Sequence, residues 1–240
     1  MQIEEFSQKI SANMSKINVK LTEKQIKNFY LYMNLLIEWN QKINLTSIVE
    51  PDEIIIKHFV DCGTILKYIN DDDKIIDVGT GAGFPGIPIK ILKENVNITL
   101  VDSLNKRVIF LDEVCAKLKL ENVNIIHSRA EDLAINNQYR AKYNKAVSRA
   151  VANLSTLSEY LLPFIKIDGK MIAMKGFEIE EEINNAKKAI NILGGRIEKI
   201  EKFNLIDTEN KRSIVVVKKV NDTPKQYPRK AGKPAKEPIR

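Results

Sequence analysis

Residues 74–86 read Lys74-Ile75-Ile76-Asp77-Val78-Gly79-Thr80-Gly81-Ala82-Gly83-Phe84-Pro85-Gly86. Ile75, Ile76 and Val78 form a short apolar run with the character of a buried strand. Three alternating glycines end it, a fourth follows at Gly86, and Gly86–Lys93 can then open a helix. Strand, glycine-rich turn and helix make the first half of a nucleotide-binding βαβ unit. Glycine suits such a turn because it accepts positive φ and lets a ligand lie against backbone with no Cβ in the way.

Working outward, the same alternation continues to residue 220. Strands are expected at 74–78, 96–102, 123–127, 143–148, 169–174, 195–203 and 212–220. Helices are expected at 86–94, 105–120, near Glu131, at 153–162 and at 178–192. Only Asn204–Lys211 separates the last two strands, so that pair should be antiparallel. Five βα units closed by a hairpin predict an open, mostly parallel sheet of the α/β class. Ligands belong at the carboxyl ends of its strands.

Two ligand classes compete for the loop. Gly81-x-Gly83-x-x-Gly86 matches the dinucleotide fingerprint, a weak pattern by itself. Asp77-x-Gly79-x-Gly81-x-Gly83 instead resembles the first motif of Rossmann-like methyltransferases that use S-adenosylmethionine. Asp102, nineteen residues past Gly83 and at the end of the second strand, suits the two hydroxyls of an adenosine ribose. It supports an adenosine ligand without separating the two cofactors. A helix N-cap is the competing role for Asp102, although Ser103 and Asn105 could also cap the next helix.

Ahead of the sheet lie about 70 helical residues. Ile3, Phe6, Ile10, Met14 and Ile17 recur at helical spacing. Thr22-x-x-Gln25 is a capping-box start for a second helix running to about Lys42. Pro51 and Asp52 open a third, through Ile69. Residues 1–70 are thus expected to be a helical extension packed on a core domain at 71–220, with a basic arm at 221–240. Of 240 residues, 44% are hydrophobic and 29% charged, a globular composition. No apolar run reaches 18 residues and no secretory signal opens the chain, so a cytoplasmic protein off the membrane, working as a monomer, is expected. Two cysteines, Cys62 and Cys115, and two histidines, His58 and His127, make no metal-binding spacing, so no metal is expected.

The net charge is +7 and the pI about 9.2. Residues 218–240 hold eight basic residues against two acids, a net +6, together with four prolines. They read as an extended basic arm, either solvated or in contact with phosphate. Candidate RNA contacts are Lys175, Arg212, Arg229 and Lys230.

Nearly every strand end carries a polar group: Asp102, then Ser128-Arg129-Ala130-Glu131-Asp132, then Ser148-Arg149, then Lys175. Arg149 stands out because Ala146, Val147, Ala150, Val151 and Ala152 around it are small and apolar. Burying arginine requires a partner, an anion or a π-face. Arg149 is therefore the candidate catalytic residue.

Together, Trp39-Asn40, Asn44-Leu45-Thr46, His58, Asp61, Asp77 to Gly86, Leu100-Val101-Asp102-Ser103, Lys106-Arg107, Phe110-Leu111, Arg129-Ala130-Glu131, Ser148-Arg149-Ala150, Lys175-Gly176 and Tyr227-Pro228-Arg229 resemble the bacterial glucose-inhibited division protein B family. Cys62 departs from the family, many of whose members have serine there. The resemblance implies a Rossmann-like class I S-adenosylmethionine-dependent methyltransferase that modifies N7 of one guanine in small-subunit ribosomal RNA or its ribonucleoprotein. It further implies that Gly79, Phe84, Ala130, Glu131 and Arg149 touch the cofactor, beside Gly81, Gly83 and Asp102 from the loop and strand reading. The chemistry agrees: N7 has an in-plane lone pair and needs no base, and no His–acid or Ser–His pair is evident. The alternatives are a nicotinamide-dependent dehydrogenase and an RNA-binding protein with a vestigial cofactor loop.

Overall fold

A computed structural model describes residues 1–206 and 208–240. The strands are β1 (Lys74–Val78), β2 (Asn97–Asp102), β3 (Val123–His127), β4 (Tyr143–Arg149), β5 (Ile165–Gly176), β6 (Gly195–Asn204) and β7 (Lys211–Lys219). They form one sheet in the order β3-β2-β1-β4-β5-β7-β6. β1 pairs in parallel with β2 and β4, and so do β2 with β3 and β4 with β5. Only β7 is reversed, antiparallel to both β5 and β6. The expected mostly parallel sheet with a terminal antiparallel pair is therefore present. Its connecting loop includes position 207, outside the described residues.

Alternation along the strands sorts side chains onto two faces. Ile75, Val147, Ile172, Ile214 and Val216 join one apolar cluster; Ile76, Val78, Ala146, Ala173 and Val215 join another. The first face is covered by α5 (Gly86–Leu92), α6 (Asn105–Leu118) and the N-terminal helices α1 (Ile3–Ser15) and α2 (Glu23–Asn40). Phe6, Phe29 and Phe59 of the N-terminal segment share that core with Phe110 and Leu111. The second face is covered by α7 (Ala130–Ala134), α8 (Leu154–Leu161) and α9 (Glu180–Ile192). The Thr22–Gln25 capping box forms as the sequence predicts.

The third N-terminal helix differs from expectation. It begins as α3 (Pro51–Ile54), widens into a π-helix at Ile55–Val60, and finishes at α4 (Asp61–Gly63) and a 3-10 turn at Leu66–Tyr68. A π-segment inserts a residue into the helical repeat and often marks a functional site. Here its Lys57 carbonyl and His58, with Asp61 just after it, all reach Arg149 at the end of β4.

The C-terminal segment is also not the extended arm expected. Thr223, Pro228 and Pro234 are buried, and residues Lys233–Lys236 form a short helix. Charge and proline alone do not show how the segment is held, because the body supplies the partners. Arg140, Glu159, Thr156 and Ser155 all bond to this segment. Lys219 at the end of β7 is buried, donating to the carbonyls of Leu162 and Leu193 at 2.9 Å each and to Thr223. Burial lowers its ammonium to about 7.

Candidate active site

The glycine loop is stapled at both ends by the carboxylate that precedes it. Asp77 Oδ2 accepts from Thr80 Oγ1 at 2.7 Å and from the Gly86 amide at 2.8 Å. Complete burial raises this carboxyl to about 7, against the opposing pull of those two donors. The loop glycines divide by role. Gly79 and Gly81 have φ of +69° and +62°, a region L-residues enter only at a cost. A Cβ on Gly81 would meet nothing within 4 Å, because it points into an open cleft. Gly83 differs from its expected ligand role. Its Cβ would meet Ile87, Tyr32 and Leu111 at 2.5–3.1 Å, so it serves the close approach of α2 and α6 rather than the cleft wall. The Tyr32 hydroxyl donates to the Ala82 carbonyl at 2.5 Å, so the N-terminal extension holds this loop directly.

The cleft over the loop has a volume of about 410 Å³, and Gly79, Gly81, Phe84, Asp102 and Arg149 all border it. Asp102 Oδ2 accepts from the Gly81 amide at 2.9 Å and from Arg107 Nη1 at 3.3 Å. Its Oδ1 accepts from the Leu104 amide at 2.9 Å. Asp102 is therefore no N-cap: Leu104 holds the cap position of α6 and makes no side-chain cap bond. Ala130 and Glu131 begin α7 after β3, one strand beyond Asp102, and are buried. They do not border this cleft. Glu131 Oε1 accepts from the Gly232 amide at 2.8 Å.

A second cleft, of about 630 Å³, adjoins the first, and the two share Thr46, His58, Arg149, Ala150 and Val151. Lys57, Lys175 and Arg212 line it, with Asp61, Glu178 and Glu182. Lys175 Nζ donates to the Ala152 carbonyl at 2.7 Å and pairs with Glu182 at 2.5 Å. Arg212 Nε lies 3.5 Å from Asp61 Oδ1. Arg229 is elsewhere: its guanidinium grips Glu159 at 2.6–3.2 Å, and its amide donates to the same carboxylate at 2.7 Å. That pairing, on a carboxylate 1% exposed, gives Arg229 a partner within the protein. Lys230 is exposed on the outside of the same segment.

Arg149 sits on the wall between the clefts, and its partners come from the protein itself. Nη1 donates to the Lys57 carbonyl at 3.0 Å and to Asp61 Oδ2 at 3.3 Å. Nη2 donates to His58 Nδ1 at 3.0 Å. The guanidinium also lies 4.7 Å from the Phe84 ring centre, which His58 approaches to 4.3 Å. The sequence offers no partner near Arg149, which points to a ligand; in the fold Asp61 supplies an anion and Phe84 a π-face. Burial, reinforced by the Arg149 charge, lowers His58 to about 3, leaving it neutral. Both ring nitrogens are occupied: Nδ1 also lies 3.1 Å from the Lys57 carbonyl, and Nε2 lies 2.9 Å from Thr46 Oγ1. Asn40 Oδ1 fixes this turn by accepting from the Leu45 and Thr46 amides. Thr46, His58 and Asp61 were present in the sequence only as quoted family positions with no role. The available signal was a histidine and an aspartate three residues apart, flanking the apolar pair Phe59-Val60.

These features fit S-adenosylmethionine. The glycine backbone opens onto free space, Asp102 offers a buried carboxylate at the wall, and Phe84 offers an aromatic face beside the Arg149 cation. No group of three or more metal-ligating side chains occurs among the described residues. Fold and site together define a Rossmann-like methyltransferase that uses S-adenosylmethionine. Two solved structures share the fold. Over 68% of this chain and 52% of that chain, NSun6 from Pyrococcus horikoshii with SFG superposes with a TM-score of 0.55 at 18% identity. M. jannaschii TYW2 in complex with AdoMet gives 0.50 at 16% identity, over 62% of this chain and 68% of that one.

The chain belongs to the GidB family, rRNA small subunit methyltransferase G, whose profile matches residues 25–215. It is 52% identical over 238 residues to Ribosomal RNA small subunit methyltransferase G of Clostridium botulinum (strain 657 / Type Ba4), covering 98% of this chain and 100% of that protein. The protein of the same name from Desulforamulus reducens is 54% identical over 221 residues, 91% of this chain and 92% of the other. Family membership favours the methyltransferase over the dehydrogenase and vestigial-loop alternatives.

Proposed function

We propose that this protein transfers a methyl group from S-adenosylmethionine to N7 of one guanine in small-subunit ribosomal RNA. The observation that carries the proposal is the junction of the two clefts at Arg149, one built on the glycine loop and the other lined by Lys57, Lys175 and Arg212. When bound, the cofactor supplies a methyl group already activated by the sulfonium charge. Gly79 and Gly81 leave room for its amino-acid end, and Asp102 accepts from the ribose hydroxyls. Phe84 and Arg149 border the methyl; for Ala130 and Glu131, which lie outside the cleft, an adenosine contact rests on the family resemblance alone. The other roles follow from position and from the family resemblance.

The chain then has mainly to position the reactants. A guanine N7 lone pair attacks in line without losing a proton, so orientation carries most of the catalysis. Neutral His58, occupied at both ring nitrogens, acts as neither acid nor base; it fixes the plane of the Arg149 guanidinium. Positive charge moves from cofactor to base during transfer. Asp61, buried between Arg149 and Arg212, keeps those two cations from raising that cost. Lys175, Arg212 and Lys230 would meet RNA phosphate. We also infer that the enzyme works as a monomer in the cytoplasm, on ribosomal RNA or an assembling ribonucleoprotein. The test is incubation with methyl-labelled S-adenosylmethionine and small subunits lacking the modification, followed by nucleoside analysis. Label in 7-methylguanosine is expected; label in any other nucleoside rejects the proposal.

A further inference from the structure

Residues 222–240 have few apolar side chains with which to hold themselves down, so the body must hold them. It does so at two successive helices. On the α7 side, Arg140 donates through Nη1 to the carbonyls of Ala134 (3.2 Å) and Tyr227 (2.8 Å), and through Nη2 to those of Thr223 (2.8 Å) and Pro224 (3.2 Å). Glu131, in α7 itself, accepts from Gly232. On the α8 side, Glu159 clasps Arg229, Thr156 Oγ1 donates to the Pro234 carbonyl at 3.0 Å, and Ser155 Oγ donates to the Ile239 carbonyl at 2.5 Å. The segment is therefore a strap joining α7, which follows β3, to α8, which follows β4.

Both helices lead to the cofactor site. Glu131, buried at the strand end next to that of Asp102, is the carboxylate given to adenosine under the proposed function, and the Gly232 amide donates to it. α8 begins five residues after Arg149, capped by Asn153, whose Oδ1 accepts from the Thr156 amide at 3.1 Å. Between them Ala150 has φ +55°. Val151 lies so close to Gly79 that a Cβ there would come within 2.7 Å of its Cγ2. Movement of α8 thus bears on the wall over Gly79.

We infer that the C-terminal segment is a positioning element of the cofactor site, with Arg140 and Arg229 as its positioning residues. It orients Glu131 through the Gly232 amide and, through α8, holds residues 150–153 against the glycine loop. The inference rests on the reading that this site binds S-adenosylmethionine. Coupling of this kind is reciprocal: cofactor must tighten the strap as much as the strap tightens cofactor.

The test uses Arg229→Gln and Glu159→Gln, each of which breaks the ion pair, the second without leaving a buried charge alone. Calorimetry with S-adenosylmethionine and S-adenosylhomocysteine is read beside thermal melting. We expect cofactor Kd to rise at least fivefold, with kcat at saturating cofactor near wild type and KM for small subunits changed less than twofold. Variants that melt earlier but keep wild-type Kd overturn the inference and leave the strap a stability element. A second measurement uses only the wild type and so survives misfolding of the variants. Saturating S-adenosylhomocysteine should slow tryptic cleavage after Lys225 and Lys230 at least threefold, and an unchanged rate overturns the inference. A wild type that binds neither compound instead refutes the functional reading beneath it.

Discussion

Replacing Asp102 with alanine tests the cofactor assignment through a group whose interactions can be counted. Its carboxylate accepts from the Gly81 and Leu104 amides at 2.9 Å each and from Arg107 at 3.3 Å. It also borders the cleft in which the ribose is placed. In the protein alone, the substitution frees two amides that water can reach from the cleft, costing about 1–2 kcal/mol of stability. With cofactor, it also removes charge-assisted bonds to the ribose hydroxyls, worth about 1.5–3 kcal/mol. That is roughly a ten- to hundredfold rise in Kd for S-adenosylmethionine. Asp102→Asn keeps one acceptor oxygen and should fall between. Calorimetry gives the affinities and thermal melting separates the stability change. If Asp102→Ala melts earlier but binds within twofold of wild type, Asp102 is only a staple for the loop, and the ribose assignment is wrong.

Two glycines of the loop should behave oppositely. Gly81→Val places its side chain in the open cleft and should raise cofactor Kd more than tenfold, its stability cost coming from the positive φ and not from overlap. Gly86→Ala, whose Cβ would meet Leu100 at 2.4 Å and Asp77 at 2.8 Å, should chiefly lower the melting temperature; the reverse pattern would contradict the geometry. Lys175→Ala with Arg212→Ala should weaken small-subunit binding and flatten its salt dependence, because fewer counterions are released; an unchanged slope would remove both from the RNA surface. His58 stays neutral down to about pH 3 in the native state, against about 6.5 unfolded. The unfolded chain binds the extra proton between those values, so stability is lost as pH falls from about 6.5 towards 3. His58→Gln should lose that component, and identical slopes of urea midpoint against pH in the two proteins would contradict it.

The sheet was legible because its strands are short apolar runs bounded by glycines, acids and prolines. β1 and β3 fall at the residues read from the pattern, and the short gap after β6 correctly implied a reversed β7. The cofactor loop was legible for the same reason, since positive φ at Gly79 and Gly81 demands glycine. What stayed hidden depends on contacts distant in sequence. No local pattern says that Asp61 and His58, about ninety residues away, are the partners of Arg149. A π-helix has no spacing distinct from an α-helix over six residues, so Ile55–Val60 read as a continuous helix. The tail misled because charge and proline describe a segment's own preference, whereas Arg140 and Glu159 decide where it lies.

The account turns on Arg149 as the wall between cofactor and base, and Arg149→Lys tests it most directly. Lysine keeps the charge beside Asp61 but replaces a planar fork serving three acceptors with a single ammonium. The measurement is the rate of methyl transfer to small subunits per folded molecule, at saturating S-adenosylmethionine and RNA, with the folded fraction fixed by urea titration. A fall of at least about tenfold, or roughly 1.4 kcal/mol in the barrier, is predicted. A variant that is destabilised yet transfers methyl groups at the wild-type rate per folded molecule would make Arg149 a structural arginine of the core and contradict the central claim.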